Sequence, residues 1–305
     1  AEFDGMIKSA IATRMVDYQL SPADMGVQLI AYVKHIYNKI PRRSIINESY
    51  NNSALKKIFV LLRNHTSHDF SQYKLSTINR RIERRLAVHQ IKDINNYVLF
   101  LQRTPKEIDA LFYDLLIGVT HFFRDAQAFM DLEKHVIPKL FANVSADNLI
   151  RVWCVGCSTG EEAYSVAILL REHMERIKKD YKVQLFATDI DNRAITTART
   201  GCYPASVAKD ISPERLQRFF AVEKEGTTYR IHKVIRDMLI FSKQDVIKDP
   251  PFSKLDLLCC RNLLIYLNME LQEKLISLFH FALRPGGFLM LGTSEGVGKA
   301  HRMFE

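Results

Sequence analysis

The chain has 305 residues, of which 47% are hydrophobic and 25% charged, so its composition is that of an ordinary globular protein with room for two or three domains. No segment resembles a membrane-spanning helix or a signal peptide, and the five cysteines lack disulfide-framework spacing, which predicts a reduced, cytoplasmic environment without membrane insertion. Lysine and arginine outnumber aspartate and glutamate by 43 to 34, so the formal net charge is +9 and an acidic partner is expected.

The first 53 residues are predicted to hold a small unit and a linker. In residues 1–37 the run MVDYQL is typical of a short strand, and Ser21 followed by Pro22 is the pattern of a helix start. Apolar residues then recur at helical spacing. Residues 38–53 are polar and rich in asparagine, which predicts a linker.

Residues 54–117 are predicted to form an all-helical domain. Helical periodicity appears in the segments LKKIFVLLRNHT, LSTINRRIERRLAVHQ, DINNYVLFLQRT and PKEIDALFYDLLIGV. Asp93 and the pair Thr104-Pro105 supply start signals for the last two helices.

From residue 149 onward, short apolar strands alternate with helical segments. The strand candidates are LIRVWCV, VQLFATD, MLIFSKQ, LDLLCC and GFLMLGT. Such alternation predicts an α/β domain built on a mainly parallel sheet with helices on both faces. Residues 201–236 interrupt the pattern and contain a hairpin-like strand, so they are predicted to be an inserted β-subdomain.

The loop CVGCSTGEEAYS, residues 154–165, follows the first strand and admits several interpretations. A redox motif would place its first thiol at a helix start, whereas Cys154 and Cys157 lie at the end of a strand. A metal site needs two further ligands, and the adjacent Cys259 and Cys260 point to opposite faces of a predicted strand. We therefore interpret the cysteines as core residues and predict no metal.

The acids around this loop indicate a different ligand. The spacing of Gly156 and Gly160 does not fit a dinucleotide loop, and Glu161 with Glu162 at the helix start opposes an anion. These two acids could equally complement the helix dipole. Asp189 ends the second strand, where an acid commonly binds ribose, while Asp191 is expected to cap the next helix. A cationic nucleoside without phosphates, such as S-adenosylmethionine, fits this pattern.

Five segments in this order resemble motifs of the chemotaxis-receptor glutamate methyltransferases, the CheR family: LLIGVTHFFRD, RVWCVGCSTGEEAYSVAI, LFATDID, CRNLLIYL and LRPGGFLMLGTSE. The resemblance runs from about residue 55 to residue 305. It implies an N-terminal helical domain at 54–117 and a Rossmann-like S-adenosylmethionine-dependent methyltransferase domain at 118–305, with the β-subdomain at 201–236.

Residues 1–37 resemble the last strand and helix of the partner methylesterase, CheB, which implies part of a methylesterase–methyltransferase fusion. No serine–histidine–aspartate set can be assembled from this stretch, so esterase activity is not expected. The family sheet ends in an antiparallel strand that has no counterpart here before residue 305.

The resemblance also implies the roles of individual residues. Arg124 and Tyr266 are expected to position the reacting groups. The residues expected to bind the cofactor are Thr120, Arg124, Glu161, Asp189, Asp245, Val246, Arg261 and Asn262. Among these, Asp189 would bind ribose, and Asp245 with Val246 would flank adenine. Gly118 and Asp245 stand where family members often have asparagine.

The implied reaction is methyl transfer from S-adenosylmethionine to glutamate side chains of chemoreceptors, leaving S-adenosylhomocysteine. A carboxylate with a pKa near ~4.3 is ionised at neutral pH, so no general base is required. The alternative is a non-catalytic or altered-substrate S-adenosylmethionine-binding module in signalling.

A cluster of four arginines offers a docking surface for the acidic partner. Arg80, Arg81, Arg84 and Arg85 recur on one side of a predicted helix. They could be an ordinary solvated face, but the family resemblance favours docking of an acidic receptor helix. Nucleic acid is not expected as the partner, because the basic residues are not interleaved with aromatic residues and the sequence contains no nucleic-acid-binding motif.

Overall fold

A computed structural model of the chain describes Ile7 and residues 16–37, 47–142, 149–223 and 226–304. These residues divide into two units, Ala1–Leu115 and Leu116–Glu305. The predictions for residues 38–46, and for residues 1–15 other than Ile7, lie outside the described residues. None of the helices in the described ranges combines the length and the apolar character that a membrane span needs.

The first unit is helical. Its helices are α1 (Pro22–Tyr37), α2 (Asn47–Thr66), α3 (Leu75–Val88), α4 (Ile94–Arg103) and α5 (Pro105–Leu115). The Asp93 carboxylate caps α4 by accepting from the amides of Asn95 and Asn96, each at 3.0 Å, and the start signal at Asp93 is thus confirmed.

Two segments of this unit differ from the secondary structure expected of them. Helix α2 begins at Asn47, within residues 38–53, whose assignment as a linker stays a prediction. Residues 16–20 of the strand-like run MVDYQL are irregular. A strand is stabilised by ladder hydrogen bonds, and the described part of this unit contains no strand that could pair with it.

One apolar stripe on each of α2 to α5 builds the core of the first unit. Ile58, Leu62, Ile78, Leu101 and Leu111 are all fully buried. Ile58 and Leu62 are four residues apart, as are Ile78 and the buried Ile82 on α3, so buried positions follow the helical repeat that periodicity detected.

The four arginines of α3 do not share one exposed face. Arg85 is only 8% exposed, and its Nε and Nη2 donate to the two carboxylate oxygens of Glu107 at 2.8 and 2.6 Å. Arg84 pairs with Asp17 and Asp114. Arg84 and Arg85 are therefore engaged by acids of their own unit, and the docking role of the four arginines stays a prediction. Successive residues project about 100° apart around a helix, and these two turn toward acids of their own unit.

The second unit contains a parallel sheet and a small antiparallel sheet. Its strands are β1 (Leu149–Val155), β2 (Lys182–Asp189), β3 (Cys202–Pro204), β4 (Phe220–Glu223), β5 (Thr228–Ile231), β6 (Leu239–Lys243), β7 (Leu255–Cys260) and β8 (Leu283–Leu291). Its helices are α6 (Ala126–Asp131), α7 (Ile137–Ala142), α8 (Glu161–Ile177), α9 (Asn192–Thr200), α10 (Pro213–Phe219), α11 (Lys233–Arg236) and α12 (Met269–Ala282). A π-helical turn, Leu132–Val136, joins α6 to α7.

The parallel sheet has the strand order β6–β2–β1–β7–β8, with every neighbouring pair parallel. All six residues of β7 are buried, as expected of a central parallel strand. The chain moves outward from β1 through β2 to β6 and then returns to β7 on the other side of β1. This reversal opens a crevice beyond the carboxyl ends of β1 and β7, where ligands bind in open α/β sheets.

The antiparallel sheet, in the order β3–β5–β4, is inserted between α9 and β6. The predicted fold class, a parallel α/β sheet with an inserted β-subdomain beside an all-helical unit, is confirmed. The insertion packs into the core of the second unit, because the rings of Tyr203 and Phe220 both contact the fully buried Phe122 edge-on.

Candidate active site

The carboxyl edge of the parallel sheet gathers the loops that follow its strands. The loop after β1 spans residues 156–160, and the loop after β2 begins at Ile190, next to Asp189 at the end of the strand. Residues 244–249 follow β6, residues 261–266 follow β7, and residues 292–295 follow β8. Hydrogen bonds join several of these loops to one another and to the segment 116–125, so side chains distant in sequence share one site.

The loop after β1 is fixed by contacts with three other segments. The Ser158 amide donates to the Asp189 carboxylate at 2.8 Å, and its hydroxyl donates to the Gly118 carbonyl at 3.0 Å. The Tyr203 hydroxyl of β3 donates to the Thr159 carbonyl at 2.6 Å. Gly160 has a φ of +96°, and a Cβ there would lie 2.9 Å from that of Ala198, so only glycine fits.

The Asp189 carboxylate accepts hydrogen bonds from the backbone and has lone pairs left for further hydrogen bonds. Its Oδ2 accepts from the Ser158 amide and its Oδ1 from the Asp191 amide at 2.8 Å. Burial raises the pKa of this carboxyl, and the backbone amides act against that rise. An ionised carboxylate offers about four acceptor positions, so oxygen lone pairs remain for a pair of hydroxyls. Asp191 caps α9 through the amides of Arg193 and Ala194, which confirms the expected cap.

The two acids at the start of α8 have different environments. Glu161 is 8% exposed, accepts from the Thr159 hydroxyl at 2.6 Å, and has its pKa raised by burial. Glu162 accepts from Arg261 at 3.0 Å, yet burial still raises its pKa to about 7. Burial disfavours both charges, so a bound cation would stabilise the ionised forms.

Arg261 lies beneath the site. Its side chain is fully buried, and it binds the carboxylates of Asp125 at 2.7 Å and Glu162 at 3.0 Å. It also donates to the Arg124 carbonyl at 2.9 Å and lies over the ring of Phe129. Acids of the domain itself thus engage the Arg261 side chain, as a buried cation requires, and its assignment to the cofactor stays a prediction.

Four further predicted residues lie in the segments at the same edge. Arg124 and Thr120 are half-buried in the segment 116–125, where Arg124 donates to the Val119 carbonyl at 2.8 Å. Asn262 and Tyr266 are half-buried after β7, and Asn262 has a φ of +59°, in the left-handed region. The roles assigned to all four remain predictions.

Asp245 and Val246 lie beside the loop of Asp189. The Gln244 amide donates to the Asp189 carbonyl at 3.0 Å, which brings the turn after β6 next to the end of β2. Asp245 is buried and accepts from the Ile247 amide at 3.0 Å, so it closes this turn. Val246 is half-buried. The flanking of adenine by these two residues remains a prediction.

Both parts of the chain match models of one protein family. Residues 118–305 match the CheR methyltransferase SAM-binding domain, and residues 53–116 match the CheR methyltransferase all-alpha domain.

The chain belongs to the CheR methyltransferase family.

S-adenosylmethionine (SAM) is therefore the cofactor of this CheR chain, as the acid pattern and the resemblance predicted.

Known relatives extend this similarity over most of the chain. A chemotaxis protein methyltransferase of Borreliella burgdorferi is 29% identical over 83% of this chain and 91% of the relative. One of Salmonella typhimurium is 30% identical over 82% of this chain and 85% of the relative. An uncharacterized 104.1 kDa protein of Rhodobacter capsulatus is 35% identical over 97% of this chain, which spans only 33% of that relative.

The CheR site fits a sulfonium nucleoside. Gly156 and Gly160 adopt positive φ in the turn after β1, and a Cβ at Gly160 would lie 2.9 Å from Ala198, so the turn packs closely against its neighbours. Glu161 is a buried acid without an ion-pair partner among the described residues, which suits a cationic ligand. Asp189 offers carboxylate lone pairs for ribose hydroxyls.

The cysteines of this CheR domain are core residues, as interpreted from the sequence. Cys154, Cys157, Cys259 and Cys260 are at most 2% exposed. Burial raises the pKa of the Cys157 and Cys260 thiols well above the usual value, which makes them poor nucleophiles. All five cysteines are free, and no group of potential metal ligands occurs among the described residues.

Sequence reasoning missed three residues that shape this site: Asp125, Tyr203 and Glu295. Asp189 is the last residue of β2 and Glu295 lies four residues after the end of β8, so an acid close to the carboxyl end of a strand was an available signal. Asp125 immediately follows Arg124, but nothing in the local sequence pairs it with Arg261. Tyr203 belongs to the inserted sheet, and the sequence alone does not connect it to the loop after β1.

We expect the buried carboxyl of Glu162 to make stability depend on pH. Its native pKa of about 7 lies above the ordinary glutamate value of 4.5, so the native state binds this proton more tightly than the unfolded state. Stability from this group is present below about pH 4.5 and is lost as pH rises to about 7, by at most about 1.4 kcal/mol per pH unit. Glu162→Gln should flatten this decline in urea unfolding at pH 5, 6, 7 and 8.

The matched control is Glu270→Gln, at an exposed position in the first turn of α12. It should leave the pH dependence as in the wild type. Parallel stability–pH curves for wild type and Glu162→Gln would mean that Glu162 does not titrate in this window.

Proposed function

We propose that this chain transfers the methyl group of S-adenosylmethionine to glutamate side chains of chemoreceptors and forms glutamate methyl esters. The carrying observation is the match of both units to CheR domains, together with relatives named chemotaxis protein methyltransferase. The acids around the carboxyl edge support the proposal, because they suit a cationic cofactor.

The proposed mechanism needs alignment rather than acid–base catalysis. When bound, S-adenosylmethionine supplies a methyl group on a positively charged sulfur. Arg124 and Tyr266 would hold the ionised receptor carboxylate in line with that methyl group and away from water. Asp189 would fix the nucleoside, and Glu161 would balance the positive charge. No residue is required to remove a proton, because the attacking carboxylate is already ionised at neutral pH.

We further propose that residues 1–37 derive from a preceding CheB-type methylesterase domain. The Rhodobacter capsulatus relative supports this, because it matches nearly the whole chain and is about three times as long. Helix α1 exposes Val27, Leu29 and Ile30 at 56–73%, which is typical of a helix that packs against a further domain.

The receptor is proposed to present an acidic helix from its cytoplasmic region, so the chain would act in the cytoplasm. With Arg84 and Arg85 engaged in ion pairs, Arg80 is the exposed member of the original cluster, and Arg81 is half-buried. The docking proposal therefore now rests mainly on Arg80.

Incubation with a purified chemoreceptor cytoplasmic fragment and methyl-labelled S-adenosylmethionine tests the proposed function. Label should enter the receptor, should be released as methanol by mild alkali, and should fall when receptor glutamates are replaced by alanine. Absence of receptor labelling under conditions in which S-adenosylmethionine binds would refute the substrate. Alkali-stable label would refute the ester.

Docking through Arg80 predicts a selective change in substrate affinity. Arg80→Glu should raise the receptor KM about two- to fivefold, as expected of an exposed charge pair, and leave kcat unchanged. The effect should shrink as salt rises, because exposed charges are screened over about 10 Å at 0.1 M. Arg103→Glu, at another exposed arginine of the same unit, is the control. Equal KM values at low salt for Arg80→Glu and wild type would eliminate Arg80 as a docking residue.

A further inference from the structure

The carboxylate of Glu295 receives hydrogen bonds from the amides of two separate loops. Its Oε2 accepts from the Asn262 amide and from the Gly292 amide, each at 2.8 Å. Its Oε1 accepts from the Ile265 amide at 3.3 Å. One side chain thus joins the loop after β7 to the loop after β8.

The segment that Glu295 holds carries Asn262, which is expected to bind the cofactor, and Tyr266, which is proposed to position the reacting groups. Asn262 has a φ of +59°, a left-handed conformation that costs free energy in a residue with a side chain. Tyr266 ends the short 3₁₀ turn Leu264–Tyr266 that follows. Amide hydrogen bonds at both Asn262 and Ile265 hold this segment in its observed conformation.

Gly292 provides an independent indication that the contact is close. A Cβ at this position would lie 2.5 Å from Glu295 Oε2 and 3.1 Å from the Asn262 nitrogen. Its φ is not positive, so glycine is needed here for space and not for backbone conformation. The approach of the two loops therefore depends on the missing side chain.

The two strands do not need Glu295 in order to pair. β7 and β8 are already joined by a parallel ladder that continues to Cys260 and Leu291, the last residues of both strands. Glu295 acts beyond the end of this ladder, on the backbone of the loops. Its contribution is therefore to loop geometry at the edge where the site lies.

We propose that Glu295 is a positioning residue, whose carboxylate fixes the Asn262–Tyr266 segment in the geometry required for methyl transfer. The part of this inference that concerns methyl transfer rests on the proposed function. Displacing a reacting group by about 1 Å can cost about 100-fold in rate, so loss of the contact should lower kcat with little effect on binding.

The test compares Glu295→Ala and Glu295→Gln with wild type. Glutamine keeps one acceptor oxygen, so it should retain part of the contact. In hydrogen exchange, amides of residues 262–266 should exchange at least about tenfold faster in Glu295→Ala, with Glu295→Gln between that variant and wild type. In receptor methylation, kcat should fall about 10- to 100-fold for Glu295→Ala, with the receptor KM and S-adenosylhomocysteine affinity within about threefold of wild type.

Gly292→Ala perturbs the same contact without changing Glu295, and it should produce the same combination of faster exchange and lower kcat. The control is Glu273→Ala, which removes a surface pair with Lys299 and should change neither quantity. If exchange of residues 262–266 is unchanged in both Glu295→Ala and Gly292→Ala, the contact does not hold the segment. If exchange accelerates but kcat is unchanged, the segment does not position the reacting groups.

These outcomes are separable from failure of the proposed function. If wild type does not methylate the receptor, the assigned substrate is wrong, and the exchange measurement still decides whether Glu295 holds the segment.

Discussion

Replacing Asp189 with alanine should weaken the binding of S-adenosylhomocysteine by about 3–6 kcal/mol, a factor of a hundred or more. We expect the carboxylate to accept from two ribose hydroxyls, and a hydrogen bond to a charged group contributes about 1.5–3 kcal/mol. Calorimetric titration of the purified full chain measures the change directly.

The same substitution also removes two backbone contacts, and the experiment must separate these effects. In the native chain Asp189 accepts from the amides of Ser158 and Asp191, so alanine leaves both amides without this partner. Asp189→Asn keeps one acceptor oxygen and removes the charge. It should therefore bind more tightly than Asp189→Ala and more weakly than wild type.

Asp191→Ala is the matched control, because Asp191 lies two residues away and caps α9. Loss of the cap should lower stability by about 0.5–2 kcal/mol without changing ligand affinity. If Asp189→Ala and Asp189→Asn both bind S-adenosylhomocysteine within about threefold of wild type, ribose lies elsewhere on the sheet edge.

The second large effect is expected in the helical unit, where Glu107→Ala should lower the free energy of unfolding by about 3–5 kcal/mol. Glu107 is 4% exposed and accepts from Arg85, from the Tyr97 hydroxyl at 2.8 Å and from His89 at 2.7 Å. Burial alone would raise the pKa of this carboxyl, but hydrogen bonds from Arg85 and Tyr97 hold it below the usual value. Alanine would leave the buried Arg85 beside a cavity, with the longer contacts to Asp17 at 3.5 Å and Asp114 at 3.6 Å remaining.

Urea unfolding of the full chain, followed by helical circular dichroism, measures this loss. Asp109→Ala is the control on the same helix. It removes a partly exposed pair with His65, so the expected change is at most about 1 kcal/mol. Replacing Arg85 and Glu107 together by apolar residues should recover much of the loss, because no buried charge is then left alone. Equal stabilities of Glu107→Ala and Asp109→Ala would show that the buried network does not stabilise the unit.

Local patterns were sufficient for the framework of both units. Helical and strand spacing identified α1 to α5 and the five strands of the parallel sheet, and Asp93 and Asp191 cap the helices that they were expected to cap. Asp189 was located at the end of β2 from sequence alone, because a strand end is a local feature and parallel strands end at the same edge. The cysteines were correctly assigned to the core, since buried strands take small apolar side chains.

Contacts between distant segments decided what these patterns could not. Arg84 and Arg85 lie on α3, but their partners Asp17, Glu107 and Asp114 belong to other segments of the first unit. The strand-like run at residues 16–20 did not become a strand, because a strand requires a neighbour with which to pair.

In the candidate active site, too, local patterns predicted some features and contacts between distant segments determined the others. Sequence spacing identified acids and loops at the sheet edge, whereas folding buried Arg261 against Asp125 and Glu162 and brought Glu295 to the amide of Asn262. The helical and strand repeats report which face of an element is apolar, and they act over a few residues. Ion pairs and loop contacts depend on which groups meet after the chain has folded, so only the tertiary structure could determine them.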